Sequence, residues 1–249
     1  MSAVSPGSGR LTADSSDQSG PRASPRSPEQ PPLPAEEAIR ASYDAVAARY
    51  AQEIGGELAG KPVDRALLAC LAELAGDGLI ADVGCGPGHV TAYLADLGAD
   101  VVGIDLSPGM IQVARERHPE LRFEVGSLLA LPVEDGRWAA AVCAYSIIHL
   151  GEDERRAAFA ELARAIAAGG WLMVSFHVSM AEQAPGSVAH VQEWWGLEVD
   201  LDFHFLEPED MVEEMIAAGF TVMAWTERQP WPDVEVASHR CYLLGRREA

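Results

Sequence analysis

A short apolar run, Leu79-Ile80-Ala81-Asp82-Val83, leads straight into Gly84-Cys85-Gly86-Pro87-Gly88-His89. The pattern reads as a strand, a glycine turn and a helix start. Glycines let the chain reverse sharply and let a ligand approach the main chain at the N-terminus of the following helix. Asp105 stands 21 residues after Gly84, at the carboxyl end of the next apolar run, Val101–Ile104. An acid there can accept both hydroxyls of a ribose. Strand, turn, helix, strand and acid within one unit constrain the fold far more than glycines alone.

The rest of the chain repeats the alternation. Ile39, Tyr43, Val46, Ala47 and Tyr50 fall at helical spacing, and a second helix runs near 63–75 until Gly76-Asp77-Gly78 stops it. Further strands are predicted at 121–125, 139–144 and 171–176, with helices starting at Ser107-Pro108 and spanning about 152–168. Gly169-Gly170 separates that last helix from its strand. A helix over 208–218 is followed by two strands, 220–227 and 236–245, joined by the turn-rich Arg228–Asp233. The expected fold is α/β: a doubly wound, Rossmann-like sheet of seven strands. Five are parallel, two form a C-terminal antiparallel hairpin, and helices cover both faces.

Residues 1–34 differ in kind. They hold eight Ser, seven Pro and three Gly, two leucines and no aromatic, so a disordered tail is expected. Its three arginines balance its three acids, which leaves the whole net charge of −20 on the following 215 residues. Residues 35–249 are read as one domain. A charge of that sign, with Lys61 the sole lysine, argues against a duplex nucleic acid or an anionic membrane as partner. No apolar run is long enough to span a bilayer. Cys70, Cys85, Cys143 and Cys241 sit in apolar segments without metal-ligand spacing, so no metal is expected and reduced, cytoplasmic cysteines are.

The loop reads GxGxG rather than the GxGxxG of dinucleotide sites, and Asp82 two residues before it would repel a pyrophosphate while suiting a cationic ligand. Here the chain resembles the class I S-adenosylmethionine-dependent methyltransferases. The loop Asp82–Gly88 carries the resemblance, with Val102-Gly103-Ile104-Asp105-Leu106-Ser107 and Met110 marking the small-molecule branch. It extends over about 35–246. The resemblance implies S-adenosylmethionine as cofactor and methylation of a small organic molecule, such as a secondary metabolite or a quinone-like compound. It places Gly84, Cys85, Gly86 and Gly88 near the methionine and ribose, and Asp82 near the amino acid end. Asp105 would hold the ribose hydroxyls, and Leu106 and Met110 would bracket the adenine. Ala144 and Tyr145 would meet the methionine moiety, and Tyr43 would lie on a helix closing over the cofactor. The family's acid after the third strand is here Ser127, so the adenine contact falls to Ser127 and the Leu128 amide. The family's Asp on the fourth strand, mostly structural, is also missing at Trp138-Ala139.

His149 and His177 follow the fourth and fifth strands at the carboxyl edge, where open α/β sheets place their sites, and are the candidate general bases. For His149, packing is the stronger of the two roles. Tyr50 reads as part of an ordinary amphipathic stripe. Residues 178–206 form a long insertion rich in aromatics, whose Trp194, Trp195 and His204 are the candidate substrate contacts. Two rivals share the fold: a protein that keeps the cofactor pocket without methylating, and a nicotinamide oxidoreductase.

Overall fold

The computed structural model describes residues 35–248, and the predicted tail at 1–34 lies outside them. Helix α1 (Ala35–Glu53) and α2 (Pro62–Ala75) precede β1 (Ile80–Val83). The alternation continues through α3 (His89–Asp96), β2 (Val101–Asp105), α4 (Pro108–Arg117) and β3 (Arg122–Val125). It then passes through β4 (Trp138–Ala144) and α5 (Glu152–Ala165) to β5 (Ile166–Met180).

A two-stranded excursion, β6 (Val188–Trp194) and β7 (Leu197–His204), leads to α6 (Pro208–Ala217), β8 (Phe220–Arg228) and β9 (Ser238–Arg247). The main sheet has seven strands in the order β3-β2-β1-β4-β5-β9-β8. β1 to β5 run parallel, β9 pairs antiparallel with β5, and β8 with β9. The chain winds outward from β1 to β3, then returns to place β4 on the other side of β1. That reversal opens a crevice at the carboxyl ends of β1 and β4.

Period-two alternation divides the strands between two apolar layers. Ala81, Val83, Ala141, Cys143, Leu172 and Val174 face α5 and α6, packing with Phe159, Leu162, Met211 and Met215. Ile80, Ala140, Val142 and Met173 face the other way, onto Leu68 and Leu71 of α2 and Val90 and Leu94 of α3. Burial on both faces is why these central strands read as continuous apolar runs rather than as alternating ones.

Two boundaries differ from expectation. Gly169-Gly170 does not separate helix from strand: β5 begins at Ile166, opposite Trp138, and the residues before Trp171 bulge from the parallel pair. A side chain at Gly170 would stand 2.7 Å from the Ala139 carbonyl, so the glycine sits inside the strand for want of space. Second, residues 178–206 are not a loop. They complete β5 and form the β6–β7 hairpin, whose turn is Trp195-Gly196 with φ of 55° and 77°. Two successive positive φ values are what a two-residue hairpin turn requires.

That hairpin packs on α1, where Val191, Trp194, Val199 and Leu201 join Val46, Ala47 and Met110 in a separate apolar cluster. The Asp200 amide donates to Ser42 Oγ on α1 at 2.8 Å. Helix and hairpin thus make one cap over the carboxyl edge of the sheet.

Nothing lies within 4 Å of a Cβ built at Gly196, so substitution there tests backbone conformation alone. Gly196→Val is expected to cost roughly 1–2 kcal/mol through left-handed strain, and Gly196→Asn clearly less. Thermal unfolding of both variants checks this, and equal Tm losses would contradict the turn assignment.

Candidate functional site

The three loop glycines have positive φ, 79° at Gly84, 52° at Gly86 and 83° at Gly88, and serve different ends. A Cβ at Gly84 would lie 2.3 Å from Ser146 Cβ, and one at Gly88 2.7 Å from the Phe123 ring. These two let β1 approach β4 and let the loop settle on β3. Gly86 meets nothing nearer than Tyr50 Cε1 at 3.9 Å. Its open face lines the crevice.

Two adjoining cavities fill that crevice, one of about 280 Å³ and one of about 100 Å³. Gly84, Gly86, Ala144, Tyr145, Tyr43 and Tyr50 line both and mark where they meet. The smaller runs along Asp105, Leu106, Met110, Gly126 and Leu128, with Glu36 of α1 above them. The larger is walled by Trp194, Trp195, Phe203 and Phe205, with His177, Lys61, Asp64, Arg240 and Tyr242 on its polar side.

Asp105 is rigidly held. One oxygen accepts from the Gly86 amide at 2.8 Å and the other from the Ser107 amide at 2.8 Å. Each keeps a lone pair. Burial raises its carboxyl to about 6 despite both bonds. Asp82 is 1% exposed, accepts from the Thr91 hydroxyl at 2.6 Å, and is pushed by burial to about 7. Cys85 is buried against Ile111, Ala114 and Phe123, and burial pushes its thiol well up, which fits a small filler.

α1 is fastened at two points. Asp44 accepts from Ser107 Oγ at 2.6 Å and from the Gly109 amide at 2.8 Å, at the N-terminus of α4. Tyr43 meets His149 Nε2 at 2.7 Å, while His149 Nδ1 meets the Asp202 carbonyl at 2.9 Å. A carbonyl only accepts, so Nδ1 carries the proton and Nε2 accepts from the Tyr43 hydroxyl. Burial lowers the imidazole to about 4, which keeps it neutral. His149 therefore ties α1 to β7 across the end of β4.

His177 lies in the larger cavity. Its Nδ1 shares a 2.7 Å bond with Ser238 Oγ, and its ring centroid is 4.9 Å from that of Tyr145. Burial, then Arg240 and Lys61, lower it to about 3.

Most of the expected site residues converge on this crevice, with three qualifications. Gly88 serves packing rather than the cavity wall, as its contact with Phe123 shows. Ser127 lines neither cavity, because its hydroxyl donates to Glu36 and accepts from the Leu129 amide at 2.9 Å. His204, at the end of β7, also lines neither, and burial and Arg155 lower its imidazole.

Tyr50, which its spacing places in an ordinary stripe, stands where the cavities meet. Glu36, Asp44, Asp64 and Tyr242 were not legible from spacing. Lys61 carried a signal in being the sole lysine. It is 8% exposed and lies between Glu57 at 2.6 Å and Glu235 at 3.3 Å.

Residues 80–170 match the family model of the methyltransferase domain. This segment is similar to that domain. Over 96 residues the chain is 34% identical to the demethylmenaquinone methyltransferase of Renibacterium salmoninarum, a match spanning 39% of this chain and 40% of that enzyme. Across the curated relatives it matches, the chain spans about half their length. The matched segment and its surroundings also superpose on solved structures. The 1,6-didemethyltoxoflavin-N1-methyltransferase of Burkholderia thailandensis, solved with 1,6-didemethyltoxoflavin and S-adenosylhomocysteine, aligns with TM-score 0.67 at 22% identity, covering 89% of this chain and 93% of that one. The 4+2 cyclase SpnF aligns with TM-score 0.66 at 20% identity over 88% of this chain and 98% of that one. At these identities the structures share the fold.

The Tyr43–His149 bond carries its own test. Tyr43→Phe leaves the buried His149 Nε2 without a donor, which is expected to cost about 1–3 kcal/mol. Urea unfolding at pH 7 measures it, and an unchanged midpoint would remove the fastening role.

Proposed function

We propose that this chain is an S-adenosylmethionine-dependent methyltransferase acting on a small organic molecule in the larger cavity. The observation that carries this reading is the meeting of the two cavities at Gly86 and Tyr145, where the sheet order reverses. Residues 35–249 act as one domain, with α1 as its lid and 178–206 as the substrate cover.

The residues suit the cofactor on their own chemistry. The two free lone pairs of Asp105 accept a pair of vicinal hydroxyls. Asp82 attracts the ammonium of the methionine end. Leu106, Met110 and Leu128 offer an apolar slot for a purine, with Met110 held in place from behind by α1. Ser127 is committed to Glu36, so Glu36 takes over the acidic contact to the adenine amino group. Bound there, S-adenosylmethionine supplies a methyl group on a positively charged sulfur.

The protein's own part is alignment and the exclusion of water. Tyr43, Tyr50 and the hairpin aromatics close the crevice. Trp194 and Trp195 stack at 4.6 Å and present a wall for a planar acceptor. His177 stays neutral at physiological pH and orients the acceptor, while His149 acts through Tyr43 as a positioning residue. The acidic chain and its four unpaired cysteines fit a cytoplasmic enzyme of secondary metabolism with no nucleic acid or membrane partner.

Two measurements test the cofactor site. Gly86→Ala meets no neighbour closer than 3.9 Å, so it is expected to fold yet weaken S-adenosylmethionine binding at least about tenfold. Gly84→Ala, facing Ser146, is expected to lose Tm instead. Isothermal titration and thermal unfolding separate the two effects; unaltered binding by Gly86→Ala would sink the reading. Cofactor affinity is also expected to depend on pH. Burial raises Asp82 to about 7 and Asp105 to about 6, and a cationic ligand needs the ionised forms. Protons then compete with it, so binding strengthens as pH rises through 6 to 7 and weakens below. A dissociation constant that is flat from pH 5 to 8 would contradict this. Tight cofactor binding without any methylated product would favour a non-methylating catalyst on the same fold.

A further inference from the structure

Tyr145 does more than line the cavities. β4 ends at Ala144, and Tyr145 adopts φ of 56°, a left-handed conformation that costs a tyrosine strain. The turn places its phenol beside a hydrogen-bonded chain that leads away from the crevice. Tyr145 Oη is 2.9 Å from Tyr242 Oη, and Tyr242 donates to Asp64 Oδ1 at 2.8 Å. Tyr242 has one proton and gives it to Asp64, so Tyr145 must donate to Tyr242. Every proton in the chain points toward Asp64. The Tyr145 oxygen, at the cavity end, keeps lone pairs that receive no donor among the described residues.

Resting on the methyltransferase reading above, we propose that Tyr145, Tyr242 and Asp64 form a proton relay for a methyl acceptor that is a hydroxyl compound, a phenol or an enol. An amine acceptor keeps its proton comfortably as an ammonium after methylation. A hydroxyl must lose its proton as it is methylated, which calls for a base. The acceptor oxygen forms the new carbon–oxygen bond with a lone pair, and the methyl–sulfur bond breaks with its electron pair left on sulfur. The acceptor's O–H bond breaks as its proton passes to Tyr145 Oη. The Tyr145 proton moves to Tyr242 and the Tyr242 proton to Asp64 Oδ1. The positive charge on sulfur and the negative charge on Asp64 vanish together, so the buried site keeps its net charge. Reverse hops return the proton to water after the product leaves.

The surroundings single out Asp64 as the sink. It is 6% exposed, and its other oxygen accepts from Arg228 at 2.8 Å. Arg228 also pairs with Glu235, which Lys61 and Arg240 each approach to 3.3 Å. Burial alone would raise Glu235, but the bond from Arg228, the Trp231 amide, and the charges of Arg240 and Lys61 lower it to about 2, so it stays ionised. Burial holds the Tyr145 and Tyr242 phenols well above their usual value, which suits conduits that do not ionise. His177 stands outside this hydrogen-bonded chain, its Nδ1 bonded to Ser238 Oγ at 2.7 Å.

Asp64→Asn removes one of the two carboxylates that pair with Arg228, Glu235 being the other, so Tyr242→Phe, which keeps the shape and the charges, is the principal variant. Each protein is titrated with S-adenosylmethionine, then assayed with labelled cofactor against phenols of graded acidity, enols, amines and thiols. The expected result is methylation of hydroxyl acceptors, with unchanged cofactor binding. In Tyr242→Phe, kcat is expected to fall about 100-fold or more and KM little, with the loss shrinking for the most acidic phenols. A second readout needs no turnover. The infrared carboxylate band of Asp64, identified by its loss in Asp64→Asn, is expected to shift in Tyr242→Phe, which removes the hydroxyl that donates to it. A retained kcat, an unmoved band, or product confined to amines and thiols overturns the relay. Cofactor binding without hydroxyl methylation overturns the relay and leaves the cofactor site standing. Absence of cofactor binding removes both.

Discussion

The close approach of Gly84 to Ser146 sets the geometry on which the site depends. A single methyl group at position 84 would collide with Ser146 at 2.3 Å, so the ends of β1 and β4 come together only because none is there. The left-handed turn that follows sends one amide, from Gly86, back to Asp105 and leaves its other face open. From that junction one cavity runs toward the acid and the apolar slot, the other toward the aromatic wall. Binding and chemistry are thus organised by backbone positions rather than by any one reactive side chain.

The sheet was largely legible because its determinants are local. Strand length, glycine punctuation and the Pro-rich link between the last two strands each leave a mark on neighbouring residues. The 178–206 segment shows how such a mark can be overlooked. Leu197-Glu198-Val199-Asp200-Leu201-Asp202-Phe203-His204 alternates strictly between apolar and polar residues, the signature of a half-buried strand. Its many aromatics suit a binding loop, but the alternation and the glycine after Trp195 specify a hairpin.

The site was legible where a motif carries it and obscure where partners are far apart in sequence. Asp82, Asp105 and the glycines lie within 24 residues, and their roles follow from spacing. Glu36 meets Ser127 across 91 residues, Tyr43 meets His149 across 106, and Tyr242 meets Asp64 across 178. No periodicity links such pairs, and only the folded chain brings them together. The substitution of Ser127 for the expected acid shows this most directly. Ser127 donates to Glu36 of α1, which lies far outside the motif.

The cap has a consequence for access to the crevice. α1 and the β6–β7 hairpin share an apolar cluster, and the same helix is pinned to α4 by Asp44 and to His149 by Tyr43. Neither piece can swing aside alone without exposing Trp194 and its neighbours to water. Opening the crevice on this side therefore disturbs both at once. Contacts remote from the crevice are thus coupled to its opening, the kind of conformational step that can pace a turnover.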